Sequence, residues 1–226
     1  MSKAILSEAD HLRVSEAVRA AEQGTAGEIV TIVTERSDRY QDVALWWSAL
    51  FALLALAALA AFPEFYLLYF GWVSGGWISD LTLAEGFELA LAVAGLKFVG
   101  SRLILQWMPL RLWMTPRFIK AQRVQGRAIR YFKVGAERRT VGRTGILLYL
   151  STDEHLAEIV ADEAIHKLVP QERWGEAMAA LVTSAKDGRL ADGMVAAIGA
   201  VGVILAEHFP RAADDVNELP DRLIEL

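Results

Sequence analysis

Between Val43 and Phe62, twenty consecutive residues carry a single polar side chain, Ser48. At ~1.5 Å of rise per residue such a run, coiled as a helix, is about 30 Å long, the thickness of a bilayer's hydrocarbon core. A second apolar run follows, cleanest over Leu81–Leu96. No Lys or Arg occurs from Tyr40 to Leu96, while Arg36, Arg39 and Lys97 stand on the two sides. These features predict a transmembrane helical hairpin over 43–107, with an outer interfacial loop at about 63–80. That loop contains Pro63, Gly71, Gly75 and Gly76 among Phe65, Tyr66, Tyr69, Trp72 and Trp77.

Charge is distributed to match. Residues 1–42 hold five basic and eight acidic side chains, and residues 43–96 hold none basic and four acidic. Residues 97–143 hold twelve basic and one acidic, and residues 144–226 hold six and fifteen. The net charge of −5 thus conceals a basic block directly after the apolar runs. Positive charge retained on one side of a span marks the cytoplasmic side. The expectation is a two-pass protein of the bacterial inner membrane with both termini cytoplasmic, and an opening segment without the apolar core of a signal peptide. Glu85 and Glu88 then lie near the outer side, and Lys97 and Arg102 snorkel to the inner interface. A third span near 64–78 stays open. Arg36, Arg39, Arg111, Arg117, Lys120, Arg123 and Arg127 are the candidates for contact with anionic lipid headgroups. Adjacency to a span explains the basic block without nucleic acid, which is not expected as a partner.

The remainder is enough for one compact domain, here in two pieces, 1–42 and 108–210, followed by a polar tail, 211–226. Ser7 and Asp10 open an amphipathic helix that stops near Gly24. Gly27–Thr34 and Thr144–Ser151 are nearly continuous in apolar character, as in strands covered on both faces. His155–Ala161 alternates and reads as a third strand in a hairpin. Pro116–Arg143 is a basic amphipathic helix, Gln171–Lys186 a second, broken by Asp187-Gly188, and a further helix capped by Asp192 runs to Phe209-Pro210. Leu223–Leu226 can dock on the body or add an edge strand. The fold class is α/β, a small central sheet with helices on both faces, interrupted by the hairpin. Cysteine is absent, which excludes disulfides and thiolate chemistry.

Asp153, Glu154, Asp162, Glu163 and His166 form the best candidate site, as metal ligands for Ca²⁺ or Mg²⁺, with Asp153 or Asp162 as candidate nucleophile. Hard cations favour such carboxylates, less so the imidazole. The competing reading has Asp162 as a helix N-cap, Glu163 in its first turn and His166 at the surface.

Gly27–Thr34, Ala128-Ile129-Arg130-Tyr131-Phe132, Thr144–Ser151, Glu158–Pro170 and Asp187–Ala197 follow one another as in the TPM domain. That family is named for a thylakoid lumen protein, a photosystem II repair protein and a nematode receptor accessory protein. Ala206–Pro210 and Asn217–Pro220 resemble its bacterial membrane-anchored branch. The resemblance implies an α/β sandwich and either a divalent-metal-dependent acid-phosphatase-like hydrolase or an accessory factor for a membrane-protein partner. Relatives place Asp-Asn before the glycine of the second strand, where this chain has Arg143-Thr144. They place Glu after the third strand, where this chain has His166. With that acidic cradle thinned, and with small residues on both runs (Ala52, Ala57, Ala58, Ala61; Ala90, Ala92, Ala94, Gly95) suited to close helix contact, a non-enzymatic scaffolding role, with a partner protein or a second copy, is the preferred expectation.

Overall fold

The structure is a computed structural model that describes residues 4–73, 75, 82–135, 144–211 and 219–226. Arg143, Trp77 and Asn217-Glu218 lie outside the described residues. The chain divides into two compact units, one of residues 1–38 with 117–226 and one of residues 39–116.

The first unit is built on a four-stranded sheet. After α1 (Glu8–Glu22) comes β1 (Glu28–Thr34). In the second unit follow α2 (Gln41–Ala61), α3 (Pro63–Val73), α4 (Leu83–Ile104) and α5 (Met108–Trp113). The chain then re-enters the first unit with α6 (Arg117–Gly135), β2 (Gly145–Ser151), β3 (Leu156–Ala161), α7 (Glu163–Leu168), α8 (Gln171–Lys186), α9 (Leu190–His208) and β4 (Ile224–Glu225). The strand order is β3-β2-β1-β4. β1 pairs in parallel with β2, from Glu28 opposite Gly145 to Thr34 opposite Ser151. β3 returns antiparallel to β2, and β4 adds a parallel edge to β1.

Both faces of the sheet are covered, which is why β1 and β2 read as apolar runs without alternation. Ile29, Val33, Ile146, Leu148 and Leu150 join Val14, Val18, Leu181, Met194, Ile198, Val201 and Leu205 in one core. Val30, Ile32, Leu147 and Tyr149, pointing the other way, meet Val124, Ala128 and Phe132 of α6 together with Leu219. The α/β sandwich with helices on both faces is as the sequence implies.

Several local expectations are corrected. Residues 63–73 are the helix α3, not a loop, because Pro63 at a helix start forfeits no hydrogen bond and the run behind it is uninterrupted. α9 starts at Leu190 with Arg189 before it, so Asp192 does not cap it. Asp192 instead accepts from Arg13 at 2.6 Å, tying the α9 start to α1. Ser7 does cap α1, accepting from the Asp10 N–H at 3.2 Å.

Two helices are long and apolar enough to cross a membrane, α2 and α9. α4 is not the second of them, since it carries Glu85, Glu88, Lys97 and Arg102. Burial separates the two: half of the α9 window is buried, against 17% for α2. α9 is the central helix of a packed core, and nine of its residues are buried.

α1 and α9 pack closely because Gly202 lacks a side chain. A Cβ there would lie 3.3 Å from the Ala21 Cα and 2.7 Å from its Cβ, the latter closer than such atoms approach. Gly202→Ala is therefore expected to destabilise the first unit by about 1–3 kcal/mol despite the better helix propensity of alanine. Thermal or urea unfolding of the full chain in detergent, followed by tertiary-structure circular dichroism, measures this. An unchanged midpoint would refute the close-packed contact.

Candidate functional site

Two polar clusters of the first unit stand at the two ends of the sheet. β3, six residues at about 3.3 Å each, separates those ends by roughly 20 Å. The five-residue cluster expected from the sequence therefore splits. Asp153 and Glu154 stand in the β2–β3 turn at one end, and Asp162, Glu163 and His166 follow β3 at the other.

At the turn end, Glu154 is buried at 5% exposure. It accepts from the Ser37 N–H at 2.9 Å and from the Ser151 hydroxyl. Ser37 Oγ lies 3.0 Å from the Tyr149 hydroxyl, whose pKa burial pushes up to about 12. Arg36 donates to Asp153 at 2.8 Å, and Arg123 pairs with Asp38 at 3.0 Å. The set fastens the segment after β1 to the β2–β3 turn. A buried carboxylate with two donors and an ion-paired neighbour is engaged in structure, so Asp153 and Glu154 are not poised for attack.

At the opposite end, Asp162 is buried and accepts from the Gly145 N–H at 3.0 Å. It stands at the N-cap position of α7, but its side chain reaches across to β2 instead of capping the helix. Glu163 is exposed and pairs with Lys167 at 2.7 Å. His166 is exposed and lines a recess of about 240 Å³ with Glu158, Trp174 and Met178, where burial raises the Glu158 carboxyl. Among the described residues no three His, Asp or Glu side chains converge to hold a metal ion. The residues present thus do not fit the Ca²⁺ or Mg²⁺ that the family resemblance implies.

A second recess at this end escaped the sequence reading. About 300 Å³ is enclosed by Arg19, Glu22, Gln23, Thr25, Glu28, Arg211 and Asp221. Glu22, at the end of α1, accepts from the Ile29 N–H at 2.7 Å. Burial pushes its pKa up to about 8, and the nearby charges of Glu28 and Asp221 push the same way. Glu28 is buried and accepts from the Leu219 N–H at 3.2 Å, and Asp221 pairs with Arg19 at 3.3 Å. In the sequence Glu22 is one more charge on an amphipathic helix. Only Glu28, an acid opening a largely apolar strand, carries a local signal that could have marked it. A carboxyl titrating near neutrality in a polar recess can donate or take up a proton.

The membrane-surface candidates also divide. Arg39 and Arg117 are exposed, Lys120 and Arg127 are half-buried, and Arg127 lies 5.0 Å from the Tyr131 ring centre. Arg36 and Arg123 hold the ion pairs above. Arg111 is corrected outright. It is buried at 7% exposure and donates to the Leu105 and Arg39 carbonyls at 2.8 and 2.7 Å, so it braces the second unit from within.

Residues 110–204 match the family model of the TPM domain. The match takes in α6 through most of α9 and leaves α1 and β1 outside it. The fold resembles the NMR structure of BA42 protein from the psychrophilic bacterium Bizionia argentinensis, with a TM-score of 0.57 over 100% of this chain and 99% of that one. At 17% identity this is a likeness of fold alone. No protein among the curated sequences matches the chain.

The raised Glu22 pKa has a stability consequence. Below its ordinary carboxyl range the folded and unfolded states are both protonated, and the folded protein bears no penalty. Between about pH 4.5 and 8 the unfolded state loses the proton first, so stability falls as pH rises, levelling off above 8. Glu22→Gln, which keeps an acceptor for Ile29, is expected to flatten that fall. Unfolding midpoints of both proteins between pH 5 and 9 test it, and parallel curves would place the titration elsewhere.

Proposed function

We propose that this is a membrane-anchored TPM-domain protein of the bacterial inner membrane, in which residues 39–116 form the membrane unit and the α/β unit acts on the cytoplasmic side. Its role is that of an accessory or scaffolding factor for a membrane-protein partner. The observation that carries the membrane half is where the large apolar side chains are exposed. Leu45, Trp46, Leu53, Phe65, Leu68, Trp72, Phe87, Leu91 and Leu96 all lie in residues 39–116, each at least half exposed. In water such a surface would far exceed what a soluble monomer tolerates. In a bilayer it needs no cover. The basic block after α4 and the lack of any Lys or Arg from residue 40 to 96 support cytoplasmic termini.

The accessory role is supported by the state of the acidic residues. Asp153, Glu154, Asp162 and Glu163 hold ion pairs or hydrogen bonds that tie strands, turns and helices together. A phosphatase that uses a divalent metal needs such groups free to converge on an ion. Anionic headgroups remain the expected contacts of Arg39, Arg117, Lys120 and Arg127.

Because the chain has no cysteine, single-cysteine variants report topology directly. Gly75→Cys is expected to react with a membrane-impermeant maleimide on intact spheroplasts, and Glu163→Cys only after permeabilisation. The reverse pattern would invert the topology, and labelling of both in a soluble fraction would remove the anchor. For the role itself, a reproducible protein partner is expected on purification in mild detergent, with no hydrolysis of a phosphomonoester panel in Mg²⁺ or Ca²⁺. Hydrolysis abolished by Asp162→Ala would overturn the accessory reading in favour of the hydrolase.

A further inference from the structure

The membrane unit contains two adjoining apolar cavities. One, of about 570 Å³, lies between α2, α3 and the start of α4, lined by residues such as Leu59, Pro63, Phe70 and Phe87. The other, of about 720 Å³, is lined by Phe51, Leu54, Leu96, Lys97, Gly100 and Ile104 among others. Tyr66 of α3 is a wall of both. Each has the size of a cavity that holds a small ligand.

Three features of the walls specify the occupant. The second cavity's lining is apolar apart from Lys97, Ser101 and Tyr66, and among the described residues neither cavity has an acidic residue in its walls. Ser101 spends its proton on the Lys97 and Phe98 carbonyls at 2.6 and 3.1 Å. The Lys97 ammonium therefore sets the charge of the site, and it has no ion pair among the described residues. The walls are also open beside two glycines. A Cβ on Gly86, in the first cavity, or on Gly100, in the second, would meet nothing within 4 Å.

We propose that this groove is a binding site for an anionic phospholipid of the surrounding leaflet, its acyl chains along α2 and α4 and its phosphate on Lys97. The proposal rests on the membrane reading of residues 39–116. Lys97 lies seven residues before the end of α4, about 10 Å along the axis. A lysine stem reaches several ångströms further towards the interface, which brings the ammonium to the level of lipid phosphates. Hydrocarbon walls with one unpaired cation complement an amphiphile with one negative charge, whereas a neutral or zwitterionic headgroup leaves the ammonium without net compensation.

The full chain, delipidated in mild detergent and returned to phosphatidylglycerol or phosphatidylcholine of identical acyl chains, tests this by native mass spectrometry. The wild type is expected to retain phosphatidylglycerol at least about tenfold over phosphatidylcholine, a difference of roughly 1.4 kcal/mol. Lys97→Gln should abolish the preference and Lys97→Arg should keep it. Gly100→Leu, which puts a branched side chain into the cavity, should lose both lipids while the protein stays in the membrane fraction. Equal retention of the two lipids by the wild type, or a preference that survives Lys97→Gln, overturns the site and leaves the anchor standing. A dimer mass in place of lipid adducts assigns the groove to a second copy and likewise overturns it. A wild type that is soluble without detergent overturns the anchor, and the site with it.

Discussion

The parallel pairing of β1 with β2 is the contact on which the first unit depends. Thr34 lies opposite Ser151, although more than a hundred residues separate them in the chain. The two cores are built from alternate residues of the same pair of strands, Ile29 and Ile146 on one face and Val30 and Leu147 on the other. A parallel pair always needs a long crossover, and here that crossover carries a second compact unit as well as α6. Closing a long loop adds little cost for each further residue, so the insertion is tolerated provided the pairing is strong and its register fixed.

Polar groups fix that register at both ends. At the turn end, Glu154, Ser37, Tyr149 and Ser151 form a buried hydrogen-bonded network. At the other end, Thr144 donates to the Ala26 carbonyl at 3.0 Å, Gly145 donates to Asp162, and Leu219 donates to Glu28. Buried polar groups of this kind are costly unless satisfied. A one-residue slip would orphan several at once and would turn every apolar side chain to the wrong face. The acidic residues that look catalytic in the sequence are largely spent on this task.

The same logic explains how much was legible. Period, length and β-branched content marked β1, β2, β3 and most helices, because those signals are local. The fold that the TPM resemblance implies has the observed layers. The five candidate site residues were misjudged as a cluster because nearness in sequence was taken for nearness in space. A six-residue strand between Glu154 and Asp162 is enough to carry them to opposite ends. Glu22, Glu28 and Asp221 were missed for the converse reason. They come from α1, β1 and the segment before β4, and only the sheet brings them to one recess. Arg111 failed for want of any sequence signal that separates a buried arginine bracing two carbonyls from an exposed one beside a membrane.

The sequence by itself determined that residues 43–62 are apolar on every side, that positive charge is withheld until Lys97, and that two strand-like runs flank this stretch. Those are properties of composition and period, and no partner in space alters them. Tertiary structure alone decided which of the two apolar helices is buried within the chain itself. α2 and α9 are alike in length and apolar content, but half of the α9 window is buried, against α1, α8 and the sheet, whereas 17% of the α2 window is buried among the described residues. Hydrophobicity gives the demand for burial, and only the packed chain shows whether that demand is already met.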